Sequence, residues 1–371
     1  MKKILIFSLA WYPFESGGEA APRIIADHLS DEYDFDVVTY RFKSEWLPVE
    51  KVGSATVYRV GGPTKYGYII RAFFKACALH RKNKYNAIWS VMAGYSGGVA
   101  YWFKRFHPKI PLLLTLQEGD PVEHILRRVG IFRPWFLDLF KRAYAVQAIS
   151  NYLALLAKDL GFPGVPAIVP NGVDIEKFTN PNPPMQFPRN GKEIVLINTS
   201  RLVHKNAHDV IIRALKYLPE NVIYKNVAQQ GDLGEELLAL AKKEGVSHRV
   251  FLLPGLSLSQ IPAWLWEGDI FVRPSRSEGL GSSFLEAMVA RLPVVATPVG
   301  GIPDFLKERM TGFFCKVDDP ESLSEQIKFI IDPNNRPSVS RIIDSAFSMV
   351  KEQYSWQTVV DSMSKIFSKL L

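Results

Sequence analysis

At 371 residues the chain has room for about two domains, and its composition is that of a globular protein: nearly half hydrophobic, about a fifth charged, with no low-complexity tract. Its two cysteines, Cys77 and Cys315, are too far apart to suggest a disulfide framework and fit a reducing cytoplasm. The net charge of +8 is uneven: residues 1–185 carry 23 Lys or Arg against 16 Asp or Glu, residues 186–371 carry 22 against 21, and no acid lies between Lys51 and Gln117. That asymmetry points the first half at an anionic partner, and with no zinc pattern or RNA-recognition signature present, nucleic acid is set aside.

The opening MKKILIFSLAWYPF starts like a signal peptide, but its apolar run is short and lacks a small-residue cleavage pattern, so it predicts a first β-strand. Gly17 and Gly18 follow, ahead of a helical pattern. Asp34-Phe35-Asp36 spells a metal-binding Asp-x-Asp, but it stands just before the next strand and reads as turn chemistry. Residues 85–103, uncharged and of membrane-spanning length, contain three glycines and several polar residues; strand, glycine loop and helix are expected there.

PLLLTL predicts a further strand leading into Gln117, Glu118 and Asp120, and the segment IFRPWFLDLFKRAY mixes large apolar residues with Arg133, Lys141 and Arg142. It reads either as a core-facing helix with solvated charges or as a contact with an anionic membrane surface. YAVQAIS and PAIVPN are two more strands, and Asn171-Gly172 is a turn. NPNPPMQFPRNG, with four prolines, reads as a linker. A second series of strands follows: EIVLINTS, VIYKNVA, RVFLLPG, DIFVRPS, PVVATPV and GFFCKV. Short apolar runs alternating with helical spacing predict two doubly wound α/β domains, with ligands beyond the carboxyl ends of the strands.

The richest stretch is SRSEGLGSSFLEAM, where Glu278 and Glu286 flank a glycine-rich turn that opens a helix. Ser283 to Glu286 matches a capping box, a structural reason for the second acid. The alternative is a ligand site: free amides at a helix start attract a phosphate, and the carboxylates beside it accept hydroxyl groups. Hydroxyls around a phosphate describe a nucleotide sugar.

SEGLGSSFLEAMVARLPVVATPVGGIPDFL resembles the signature region of the retaining, nucleotide-sugar-dependent glycosyltransferases called family four or "group 1". That resemblance implies the GT-B fold: two Rossmann-like domains facing a central cleft, with a C-terminal helix returning to the first. It divides the chain into an acceptor-binding domain at 1–180 with a returning helix about 350–371, and a donor-binding domain at 190–349. It implies that Glu278 meets the transferred sugar and Glu286 the ribose, with Gly279, Leu280, Gly281, Ser282 and Ser283 serving sugar and phosphates. SRLVHKN matches the Arg and Lys pair that grips the donor diphosphate, here Arg201 and Lys205, where fixed cations stabilise the charge growing on a leaving group.

PNGVDIEKF and YSWQTVVDSMSKIF match the family's end of the first domain and its closing helix. Gly17 and Gly18 correspond to a loop approaching the donor phosphate or the acceptor. Where many relatives carry Thr-x-His, this chain has Gln117; Glu118, Asp120 or the departing phosphate is then left to take the acceptor's proton. Two further departures are Arg291, where glycine is common, and QQGDLGEEL, which keeps Gly231 and Asp232. His204 and His208 have metal-ligand spacing but no third ligand, so no metal and no cofactor are expected.

The implied enzyme uses a nucleotide diphosphate sugar and a saccharide or lipid-linked acceptor of the cell envelope; it is expected in the cytoplasm, either free or peripheral on the inner membrane face. A catalytically silent binding subunit, or a glycoside hydrolase using the two acids as a pair, are the other classes the sequence allows.

Overall fold

The computed structural model describes residues 1–14, 17–62, 64–181, 193–228 and 231–371. Most of the proline-rich linker, residues 182–191, and Gln229 and Gln230 of the QQGDLGEEL turn lie outside the described residues.

The chain forms two compact units, residues 1–172 with 356–371 and residues 173–355. The first unit is built on eight strands: β1 (Lys2–Phe7), β2 (Tyr33–Tyr40), β3 (Val49–Val52), β4 (Ala55–Val60), β5 (Ala87–Val91), β6 (Leu112–Leu116), β7 (Ala145–Ala148) and β8 (Ala167–Ile168). They lie in the order β3-β4-β2-β1-β5-β6-β7-β8. All neighbours are parallel except β3 and β4, an antiparallel hairpin at one edge. β5 and β6 are buried along their whole length, which is why they read as unbroken apolar runs rather than alternating ones.

The second unit has six: β9 (Ile194–Asn198), β10 (Val222–Ala228), β11 (Val250–Pro254), β12 (Ile270–Arg273), β13 (Val294–Ala296) and β14 (Phe313–Phe314), ordered β11-β10-β9-β12-β13-β14. All its ladders are parallel. In both sheets the order reverses beside the first strand of the series, β1 or β9. That reversal opens the crevice where doubly wound folds bind ligands.

The closing helix Trp356–Leu370 belongs to the first unit. Val359, Val360, Met363, Phe367 and Leu370 join the core formed by β1, β2 and β5. Phe367 sets its ring against Tyr33, Phe35 and Trp89 at centroid distances of 5.6, 6.1 and 5.3 Å.

Three sequence expectations are corrected here. Asp34-Phe35-Asp36 lies inside β2 rather than before it: Asp36 is buried and accepts from the Tyr85 hydroxyl and, at 2.8 Å, from Asn83 Nδ2, while Asp34 pairs with Lys3 at 3.4 Å. The units divide at residue 172, ahead of the prolines, because the helix Ile175–Phe178 already packs in the second unit, where Trp266 Nε1 donates to the Phe178 carbonyl at 3.1 Å. Asn171-Gly172 is not a regular turn; it runs beneath the Trp356 ring.

Candidate active site

β12 is apolar from Ile270 to Val272 and ends in Arg273; the chain then loops through Glu278 and enters the helix Ser282–Val289. Gly281, in the left-handed region at φ 83°, takes the cap position with no side-chain cap. The capping-box expectation is therefore overturned. Ser283 Oγ instead accepts from Arg273 Nη1 at 2.9 Å, and the N–H groups of Gly281, Ser282 and Ser283 find no acceptor among the described residues, as the first turn of a helix leaves them.

Glu278 is buried, at 8% exposure. One carboxylate oxygen accepts from the Gly279 amide at 3.0 Å and the other from Arg273 Nη2. The first acid thus arrives paired. Gly300, from the loop after β13, presses on the Glu278 backbone, and Gly301 N–H donates to the Glu278 carbonyl at 3.2 Å.

Glu286 differs. It is half-buried, its carboxylate has no hydrogen-bond partner among the described residues, and burial pushes its pKa up to about 7 against the opposing pull of Lys177 and Arg273. The stretch thus holds both kinds of unsatisfied group: a carboxylate that accepts without a donor, and helix-start amides that donate without an acceptor.

Arg201 and Lys205 stand in the loop after β9, which two arginines hold against the acidic turn. Asn206 is the relay for the first: its Oδ1 accepts from Arg273 Nη2 at 3.0 Å and its Nδ2 donates to the Arg201 carbonyl at 2.7 Å. Arg276 is the second. Its backbone N–H donates to the Lys205 carbonyl at 2.8 Å, Nη1 donates to the His204 carbonyl at 2.6 Å, and its fork grips Asp209 at 2.9 and 2.7 Å. The Arg201 side chain is left exposed to solvent.

His208 is an internal brace of the same loop. The Arg201 carbonyl, 2.9 Å from Nε2, can only accept, so Nε2 carries the proton and Nδ1 accepts from the Tyr224 hydroxyl at 2.7 Å. Burial lowers its pKa to about 4, which keeps the ring neutral. Both ring nitrogens are thus spent inside the protein. Gly231 sits against the backbone of Leu202, adjoining the same loop.

The structure therefore gathers Arg201, Lys205, Glu278, Glu286 and the 279–283 amides in one region of the second unit. Sequence reasoning missed Arg273 and Arg276, the side chains that do the gathering. Arg273 stood in a strand, and Arg276 in a loop that looked solvated. The only available signal was that Arg273 interrupts an apolar strand.

Gly17, Gly18, Gln117, Glu118 and Asp120 belong to the first unit. Gly17 and Gly18 open the helix Gly17–His28, and Gln117 Oε1, the tip of a flexible side chain, lies 2.7 Å from the point a Cβ on Gly18 would occupy, so the glutamine amide rests against this glycine. Both Glu118 oxygens accept backbone amides, from Ala93 at 2.7 Å and Gln117 at 2.9 Å, and burial raises its pKa. Asp120 is near Arg128 at 3.9 Å.

The same unit carries an aromatic ridge. Phe74 meets Phe73 edge-on and Phe73 meets Phe106 at a tilt, each at 5.3 Å; Trp102, one turn before Phe106, meets Trp135 at 5.4 Å, and Trp135 meets Phe132 at 5.5 Å. Phe74, Phe106, Phe132 and Trp135 are exposed, as are Ile131 and the bases Arg71, Arg105, Arg127, Arg128 and Arg133. Leu139 and Phe140, further along the helix Arg133–Arg142, are buried, so that helix serves the core at one end and solvent at the other.

Comparison with known proteins decides the family. Residues 182–348 match the family described as glycosyl transferases group 1, and residues 16–177 match glycosyltransferase family 4. The chain belongs to the group 1 glycosyltransferases. Two uncharacterized glycosyltransferases of Methanocaldococcus jannaschii are similar to it: one is 23% identical over 99% of this chain and 98% of its own length, the other 26% identical over 63% of this chain. The chain spans 60% of the length of the second.

Among solved structures, Anabaena HepE, in complex with UDP and glucose, superposes with a TM-score of 0.83 at 20% identity, covering all of both chains. This group 1 glycosyltransferase therefore has the GT-B fold expected from its sequence. No helix among its described residues is long and apolar enough to cross a membrane.

Proposed function

We propose that the chain moves a sugar from a nucleoside diphosphate sugar to an acceptor hydroxyl, with retention at the anomeric carbon and without a metal. The observation that carries this reading is the unpartnered Glu286 carboxylate beside helix-start amides that also lack acceptors, in the region that holds Arg201 and Lys205. A ribose diol would satisfy the carboxylate, and a diphosphate would satisfy amides and cations.

Glu278 offers its remaining lone pairs to sugar hydroxyls from a fixed position. As the bond from the anomeric carbon to phosphate breaks, its electron pair goes to the diphosphate, where Arg201 and Lys205 stabilise the growing charge. The acceptor oxygen bonds to the same carbon on the same face, and its proton passes to the departing phosphate. Glu118, with both oxygens engaged by amides, is better suited to shaping the loop than to taking that proton. That HepE is described with UDP and glucose supports a donor of this class.

The first unit is assigned the acceptor, a saccharide or lipid-linked saccharide of the cell envelope. Its aromatic ridge among arginines, contributed by the acid-free stretch 51–117 and by residues 127–135, suits an anionic bilayer: rings enter the interface and guanidinium groups meet lipid phosphates. The enzyme would then work in the cytoplasm at the inner membrane face. Release of UDP, GDP or ADP from a panel of nucleotide sugars, with and without acceptor glycolipids, tests the reaction. Turnover of none of them rejects it in favour of a silent binding subunit.

A further inference from the structure

Arg273 is a buried cation, at 9% exposure, on an otherwise apolar strand. A guanidinium taken from water costs several kcal/mol, and a well-packed apolar side chain often stabilises a fold as well as a buried ion pair does. Stability alone therefore gives no reason for arginine after Ile270, Phe271 and Val272.

Its contacts give one. Two terminal nitrogens reach three separate segments: the Glu278 carboxylate in the acidic loop, Ser283 Oγ at 2.9 Å in the first turn of the helix, and Asn206 Oδ1 at 3.0 Å after β9. Asn206 passes the constraint to the Arg201 carbonyl at 2.7 Å. The Phe284 ring lies below, with its centroid 5.2 Å from the guanidinium carbon.

Resting on the donor site proposed above, we infer that Arg273 is a positioning residue for glycosyl transfer: it aims the Glu278 carboxylate and sets the Arg201 loop and helix start at fixed spacing from it. Lysine cannot replace it, because one ammonium does not present a planar fork to three partners. The charged groups facing Glu286 are Lys177, on the short helix packed against its own, and Arg273. Asp344, on the helix Arg336–Gln353 along the other side, is paired with Arg291. Losing Arg273 therefore also moves the titration of Glu286 to higher pH.

The test uses the full chain and the variants Arg273→Met, Arg273→Lys, Glu278→Gln and Arg273→Met with Glu278→Gln. Nucleoside diphosphate release is measured from UDP-glucose, GDP-mannose and ADP-glucose across a pH series. The expected result with the donor that turns over is a kcat loss of about 100-fold for Arg273→Met, the scale of a misplaced reacting group, with KM changed far less. A loss of at least about 10-fold is expected for Arg273→Lys. The double variant should be no slower than the worse single variant, because Arg273 acts through Glu278, and the acid limb of the pH profile should move up in Arg273→Met.

Additive losses, an unmoved acid limb, or an Arg273→Lys rate within twofold of the parent would overturn the inference; the lysine variant decides if the methionine variant does not fold. A parent chain that releases no diphosphate from any donor sinks the proposed function and this inference with it. Normal parent turnover with indifferent Arg273 variants sinks this inference alone.

Discussion

Gly300 packs directly on the backbone of Glu278, so closely that a Cβ at Gly300 would collide with the Glu278 carbonyl oxygen. Gly300 also sits at φ +56°, where side chains other than glycine are strained. The loop after β13 is thus a backstop for the acidic turn.

Gly300→Ala should therefore both destabilise the second unit, by about 1–3 kcal/mol in urea unfolding, and weaken nucleotide-induced thermal stabilisation. Gly61→Ala, with nothing within 4 Å and no positive φ, is the control and should stay within about 0.5 kcal/mol of the parent. Equal stability of the two variants would show that the backstop is slack.

Glu286 makes ligand binding depend on pH. Its carboxyl, held at about 7 by burial, is protonated below that pH and is then a poorer acceptor for a ribose diol. Affinity for nucleoside diphosphate should rise as pH goes from 6 to 8, and Glu286→Gln should flatten that rise. The unliganded protein runs the other way. The folded state binds this proton more tightly than the unfolded chain, so the contribution is full below the ordinary carboxyl value and is lost as pH rises through about 7. Calorimetric titrations and melting curves over that range check both signs.

Arg291 stands in a left-handed conformation, φ 64°, which favours glycine. Its guanidinium pairs with Asp344 and lies 3.9 Å over the Phe347 ring, contacts that offset the backbone strain. Arg291→Ala keeps the strain and loses the contacts, while Arg291→Gly loses both. Glycine should be the more stable variant by about 1 kcal/mol in denaturant unfolding; the reverse order would mean the backbone carries no strain there.

The aromatic ridge should direct the chain to charged bilayers. Co-sedimentation is expected with phosphatidylcholine vesicles that contain phosphatidylglycerol, and not with phosphatidylcholine alone, and it should fall at high salt. Phe132→Ser with Trp135→Ser should abolish it with an unchanged melting temperature. Binding that survives this pair would place the contact elsewhere.

Legibility in the sequence followed burial. The strands buried on both faces, such as β5, β6 and β9, announce themselves as apolar runs. The hairpin β3–β4 was not read at all, because Val49–Val52 alternates exposed with half-exposed residues and offers no apolar run. Asp36 misled because a buried acid inside a strand is satisfied by Asn83 and Tyr85, partners from another segment that local spacing cannot show.

The same limit governed the site. Arg201, Lys205, Glu278 and Glu286 were legible as a family motif. Arg273 and Arg276, which join the two loops, reach partners 67 positions away in sequence, Asn206 and Asp209. The capping box failed for a local reason: Gly281 took the cap position, and Ser283 turned to Arg273.

The central claim is that the turn from Glu278 to Glu286 holds the nucleoside diphosphate of a sugar donor. Crystals of the full chain soaked with UDP, GDP or ADP test it most directly. The expected density places the ribose hydroxyls on the Glu286 carboxylate and the phosphates against the 279–283 amides, with Arg201 and Lys205 beside them. A nucleotide bound away from that turn, with Glu286 still lacking a partner, would contradict it.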